Sequence, residues 1–243
     1  MDVKNLKWLI AGGTGAVGEG IVRKLLTKEA TVIVPVRSEA KETQLRDYLQ
    51  TEGVVADRLI TIGADFGSPY EAGDLSERLA KDHPDIHAAV ASLGGWWQGN
   101  PLHAMDWQEW QQVIRNNLNS HYLCMQAVYP QMVSRKEGMY VMINGGASEY
   151  PVPGSGAVSV MAAAQQMMAK VLAAENKHPS TLRVHSLVLA TPVITRMNER
   201  TGHPDWITAA QVGEYLTQMY LGRTGHRDEP VHHLRSRKDI REL

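Results

Sequence analysis

The 243-residue chain reads as an α/β protein, a doubly wound parallel sheet with helices on both faces in three α/β/α layers. Three observations lead there. Short apolar runs alternate along the chain with longer segments of helical period, the pattern of strand-helix-strand crossovers. A glycine-rich turn, "AGGTGAVGEG", directly follows the first apolar run. The composition, 43% hydrophobic and 21% charged, supplies enough apolar material for one sizeable core in a chain of this length.

Taken in order, the first expected strand is 8–11, and the helix after its glycine turn is 18–28. A strand at 31–36 ("TVIVPV") precedes a helix at 40–52, and a strand at 59–62 precedes a helix at 70–81. The next strand is 88–92, followed by a long helix over 107–132. Then come a strand at 139–143, a helix at 159–176 and a strand at 184–189. These strands are runs rather than alternations, as expected when both faces of a sheet are covered. The tail after Gly222 is polar and mixed in sign, with one last short strand near 231–234. No repeat or linker divides the chain, so 1–243 is expected to be one domain.

A formal net charge of -1 argues against a nucleic-acid face or a polybasic membrane patch and favours small, neutral partners. Cys124 is the single cysteine, which excludes an internal disulfide framework. The N-terminus, "MDVKNLKWLIAGG", lacks the shape of a secretory signal. No run approaching the roughly 20 apolar residues of a membrane span is expected. A soluble, cytoplasmic protein follows as the expectation. No metal site is expected either: Pro84 interrupts the His83/His87 spacing, and His232 and His233 would alternate faces of a strand. His121, one turn beyond Asn117, reads as a packing or subunit-contact residue.

The residues of the turn, Gly12, Thr14, Gly15, Ala16, Val17 and Gly18, are the first candidates for a site. Glycines there let the backbone turn sharply and approach a diphosphate, whose charge meets the amides at the next helix N-terminus. The plain alternative is a tight turn. The second strand ends in "VPVRSE", placing Arg37 and Ser38 where a nucleotide ribose would lie. An arginine suits a 2'-phosphate, so NADP(H) is favoured over NAD; a solvated surface arginine is the alternative.

With these motifs in order, the chain resembles the short-chain dehydrogenase/reductase (SDR) family over nearly its whole length. "AGGTGAVG" is similar to the family's TGxxGxxG turn, and "GADF" puts Asp65 and Phe66 where the family contacts adenine. "ASLGG", with Ser92, Leu93 and Gly94, resembles a departed form of its NNAG segment. Asn117 in "VIRNNLNSHYLCMQ" matches its active-site asparagine. "LRVHSLVLATPVIT" is similar to RVNxxxPGxVxT, with Leu189 and Ala190 at the proline and glycine; the resemblance then places Val193 and Thr195 near the nicotinamide carboxamide. It implies a Rossmann-type fold, a dinucleotide cofactor, and a homodimer or homotetramer through the 107–132 and 159–176 helices.

The same register leaves a gap in the family's catalytic set. Its serine, tyrosine and lysine positions fall on Gly145, Val158 and Ala162, and no tyrosine with a lysine four residues later occurs in the chain. A lost general acid costs about 10²- to 10⁴-fold in rate. Three readings follow. The protein is an atypical reductase, an NADP-dependent oxidoreductase whose acceptor, such as an imine or activated carbonyl, needs little proton donation; Ser148 or Tyr150 in "GGASEYPVPG" is then the candidate substitute donor beside Asn117. Alternatively it is a non-redox enzyme (isomerase, lyase or cyclase) using the inherited pocket, with Trp96 and Trp97 as its aromatic wall. Or it is a silent NADP-binding or assembly subunit.

Overall fold

The computed structural model of the protein describes residues 2–225 and 228–240. Seven parallel strands form one sheet in the order β3-β2-β1-β4-β5-β6-β9, a Rossmann-type α/β fold. The strands are β1 (Lys7–Ala11), β2 (Thr31–Val36), β3 (Leu59–Gly63), β4 (Ala88–Ala91), β5 (Gly138–Gly145), β6 (Leu182–Leu189) and β9 (Val231–Leu234). Two further strands, β7 (Val193–Ile194) and β8 (Ile207–Thr208), pair with each other apart from the main sheet.

Period-two alternation within the strands assigns side chains to two cores. Trp8 and Ile10 of β1 point to one face, where helices α1 (Gly18–Thr27), α2 (Glu39–Thr51) and α7 (Ala209–Tyr220) cover them with Leu25, Leu45 and Leu216. Leu9 and Ala11 point to the other, under α3 (Pro69–Asp82), α5 (Ser120–Arg135) and α6 (Gly156–Glu175), which contribute Leu75, Val128 and Ala169. All four residues of β4 are buried, so the strand sits in the middle of the sheet.

The long helix expected over 107–132 is three pieces. The first, α4 (Trp107–Ile114), starts on Asp106, whose carboxylate accepts from the amides of Gln108 and Glu109. A stretch of π-helix, Arg115–Asn119, then widens the turn before α5 continues to Arg135. Such widened turns often mark functional sites.

Helix α7 lies outside the expected elements. It begins on a capping box formed by Thr208 and Gln211 and packs closely on α1. A Cβ on Gly20 would stand 2.4 Å from that of Ala209, and one on Gly213 would stand 2.8 Å from that of Lys24. Lys24 and Lys28 both reach Glu214, at 2.9 and 3.0 Å.

One composition reading needs correction. Helix α6 runs 20 residues and is apolar enough to cross a membrane by length and composition, contrary to the expectation that no such run exists. Its buried side, with Met161, Ala162, Gln165, Gln166 and Ala169, faces the rest of the fold, while Val160, Met167 and Val171 are exposed.

Candidate functional site

The chain reverses its winding between β1 and β4, so a crevice opens where their carboxyl ends diverge. The backbone there is very tight. Gly12, at φ +77°, has room for no side chain, because a Cβ would lie 2.0 Å from the Ser92 carbonyl oxygen. Gly18, opening α1, would put a Cβ 2.0 Å from the Gly12 oxygen. These glycines bring the α1 N-terminus against the β4 end, with Gly15 exposed to the clefts on both sides.

A cleft of about 560 Å³ runs from Gly12, Thr14 and Gly15 past Arg37 to Asp65 and Phe66. Phe66 is buried, and Asp65 is fixed by its loop. Its carboxylate accepts from the Gly67 amide at 2.9 Å, and its own amide donates to Glu71 at 2.8 Å. Lys41 and Arg115 line the same cleft, two cations that the sequence reading did not single out. Among the described residues, neither Arg37 nor Arg115 has an acidic partner, so the cleft keeps a positive surplus suited to phosphate. Ser38 does not line it; its hydroxyl caps α2 by accepting from the Lys41 amide at 3.4 Å.

The second cleft, of about 860 Å³, shares Gly15 and the 92–95 segment with the first and extends over Ala16, Val17 and Gly18. Gly145, Val158 and Ala162 stand together in its wall with Asn117 and Gln165. Asn117 is 7% exposed, and its Oδ1 accepts from the Gly95 amide at 2.6 Å. Gly94, at φ +89°, passes so close that a Cβ would lie 2.0 Å from that oxygen. The Asn117 carbonyl, in the π-helical turn, accepts from Gln165 Nε2. Asn144 is equally committed: its Nδ2 donates to the Ala162 carbonyl at 2.8 Å, and its Oδ1 accepts from the Gly145 amide at 2.9 Å. None of the side chains lining this cleft ionises in water.

The remaining candidates lie elsewhere. Ser148 is buried and donates to the Gly145 carbonyl at 2.8 Å, while Tyr150 is 71% exposed; neither hydroxyl lines the cleft. Thr191 and Pro192 line it in place of Val193 and Thr195. Val193 packs against the core, and Thr195 is tied into a turn by Asn198, whose Oδ1 accepts from its amide at 2.7 Å. Trp96 lines the cleft. Trp97 lines a smaller neighbouring one and packs beside Val113, Ala157 and Met161.

Two buried groups behind the site are held uncharged. His121 is fully buried, with Nε2 3.2 Å from the Leu93 carbonyl; burial pulls its pKa down to about 4 despite that bond. Burial likewise pushes the Cys124 thiol up to about 12, removing any thiolate character. At the far rim, Glu149 ties the 146–148 turn to the fold through His233 at 2.7 Å and Gln166 at 3.1 Å.

Gln165 also escaped the sequence reading, although its position offered a signal. It lies three residues after Ala162 and seven after Val158, on the same helical face.

A family model described as short chain dehydrogenase matches residues 7–205. Among curated proteins, the chain is 27% identical to an acetoacetyl-CoA reductase of Acinetobacter over 204 residues, 79% of this chain and 77% of that protein. It is 22% identical over 243 residues to the 3-oxoacyl-[acyl-carrier-protein] reductase of Buchnera aphidicola, covering 94% and 88% of the two. Among solved structures, a metagenomic short-chain oxidoreductase in complex with NADP superposes with a TM-score of 0.74 at 20% identity, covering 90% of this chain and 91% of that one. A short-chain type dehydrogenase/reductase of Mycobacterium ulcerans reaches 0.81 at 18%, covering 96% and 90%.

Proposed function

Because this chain belongs to the short-chain dehydrogenase family, we propose that it binds NADP(H) and passes hydride to an acceptor needing little proton donation, such as an imine or activated carbonyl. The observation that carries the reading is an 860 Å³ cleft, beside the glycine turn, with no ionisable side chain in its wall.

The residues present suit the dinucleotide. Amides of the 12–18 turn and the α1 N-terminus would meet the diphosphate. Arg37, supported by Lys41 and Arg115, would hold a 2'-phosphate, and Asp65 and Phe66 would border the adenine. The nicotinamide would lie against Gly94, Asn117 and the Ala190–Thr191 backbone. When bound, the cofactor supplies the hydride. The protein's own part is to orient the two reactants and exclude water, because Val158 and Ala162 occupy the family positions of the proton donor and its partner.

Stacking with relatives at 18–27% identity supports the family and the fold; the acceptor class rests on the lining alone. Exposed Val160, Met167 and Val171 on α6 and Tyr122 and Val133 on α5 support self-association through these helices.

Titration of the protein with NADPH and NADH, followed by tryptophan emission, tests the cofactor. NADPH is expected to bind more tightly. A panel of preformed iminium salts and matched ketones then tests the acceptor, with turnover of the former expected. Equal affinity for both dinucleotides would remove the NADP reading, and NADPH binding with no turnover of any iminium salt would remove the reductase.

A further inference from the structure

Against the hydride cleft lies a second hollow, of about 340 Å³, between the 95–97 loop and the first turns of α4. The two share Gly95, Trp96 and Asn117 in their walls, and the hollow also shares Gly95, Gln112 and Asn116 with the basic cleft. Its chemistry differs from that of its neighbour. Trp96, 63% exposed, and Trp97 bring indole rings to it, and Gln108, Gln112 and Asn116 bring neutral amides. Its one charged lining side chain is Glu109, whose carboxylate has no hydrogen-bond or ion-pair partner among the described residues.

Indole faces and an unpaired carboxylate favour the same kind of guest. The electron-rich face of tryptophan attracts an organic cation, and a lone carboxylate adds long-range attraction of the same sign. An anionic or phosphorylated substrate would meet repulsion from Glu109. We propose that this hollow is a binding subsite for the positively charged body of the substrate, an organic cation such as a cyclic N-alkyl iminium ion. The inference rests on the reductase reading given above and names its substrate class.

The charge of such a substrate also fits the uncharged cleft beside it. The iminium carbon accepts a hydride from the reduced dinucleotide, and the C=N π pair withdraws onto nitrogen. A neutral tertiary amine results, and the oxidised dinucleotide carries the positive charge. No proton enters the step, so no acid is required in the wall. The neutral product loses its attraction to the indoles and to Glu109, which favours its release.

The test separates the subsite from the cofactor reading by measuring each alone. Calorimetry on the whole protein, loaded with NADPH, would compare N-methylisoquinolinium with uncharged isoquinoline in alkaline buffer. The cation is expected to bind roughly tenfold more tightly, the equivalent of about 1.4 kcal/mol. Trp96→Ala should weaken the cation by roughly tenfold. Glu109→Gln should weaken the cation by a few-fold, leave isoquinoline unaffected, and remove the salt dependence of cation binding. Glu109→Gln, outside the hydride cleft, should keep its NADPH affinity, measured in the same instrument, and its melting temperature. Cation and neutral analogue binding equally, or a cation affinity unmoved by both substitutions, would overturn the subsite while NADPH binding persists. Cation preference surviving in a protein that fails to bind NADPH would uphold the subsite and overturn the cofactor reading.

Discussion

On the proposed reading, a tyrosine at Val158 and a lysine at Ala162 would put a proton donor and its cationic partner into the wall of the cleft of about 860 Å³, since both positions line it. The double variant Val158→Tyr/Ala162→Lys is therefore expected to gain ketone reduction, by about 10²- to 10⁴-fold over the starting protein. Steady-state NADPH oxidation with a ketone panel reads the gain; continued inertness in a folded variant would show that the cleft does not align hydride and acceptor. Arg37→Ala should raise the Kd for NADPH by roughly 10- to 100-fold and leave NADH nearly unchanged, as removal of a charge-assisted bond to phosphate requires. At this scale the sequence exposed the residues whose backbone makes the site. Gly12 and Gly18 are legible because a turn against β4 tolerates nothing larger. The fates of Ser148 and Tyr150 were not legible: a hydroxyl three residues from a free carbonyl turns back on its own loop, and no periodicity records that choice.

Among the elements, the π-helical turn and the helix facing it act as one unit. Gln165 on α6 supplies the donor for the Asn117 carbonyl. Gln165→Leu would remove the hydrogen bond that ties α6 to the π-helical turn, at a cost of about 0.5 to 1.5 kcal/mol, and denaturant unfolding should show a lower midpoint at unchanged slope. An unchanged midpoint would mean that this bond adds nothing to stability. The strands were readable because burial on both faces turns them into uninterrupted apolar runs, as in "AAVA" of β4. Helix α7 was harder to see. Gly213 lies in its middle, where glycine argues against helix, yet the glycine is there because α1 passes too close for a side chain. The Thr208 and Gln211 pair was the available sign of its start. The break of the 107–132 helix left no mark in the apolar pattern, since a π-turn adds one residue without changing which side chains are apolar.

For the molecule as a whole, two of its buried imidazoles link stability to pH. His121 and His185 have folded-state pKa values of about 4, each lowered by burial from 6.5. Above the unfolded value both states are uncharged and nothing is gained or lost. As pH falls from 6.5 towards 4, the unfolded chain takes up protons that the folded protein refuses, so stability declines across that window. Urea midpoints measured through the window should fall, and His121→Gln should flatten the slope by close to one proton. Self-association is expected to break when Met167 and Val171, exposed on α6, are both changed to glutamate; sedimentation should report the smaller species with its secondary structure intact. An uncharged reaction chamber has one more consequence, for kinetics. On the proposed reading no titrating group lines the wall around the reacting carbon, so the acidity profile of turnover should trace the compound being reduced rather than a proton donor of the catalyst. An imine that must be protonated on nitrogen before it takes hydride should lose turnover as pH rises through its own pKa, whereas a permanently charged N-alkyl iminium should show no such loss.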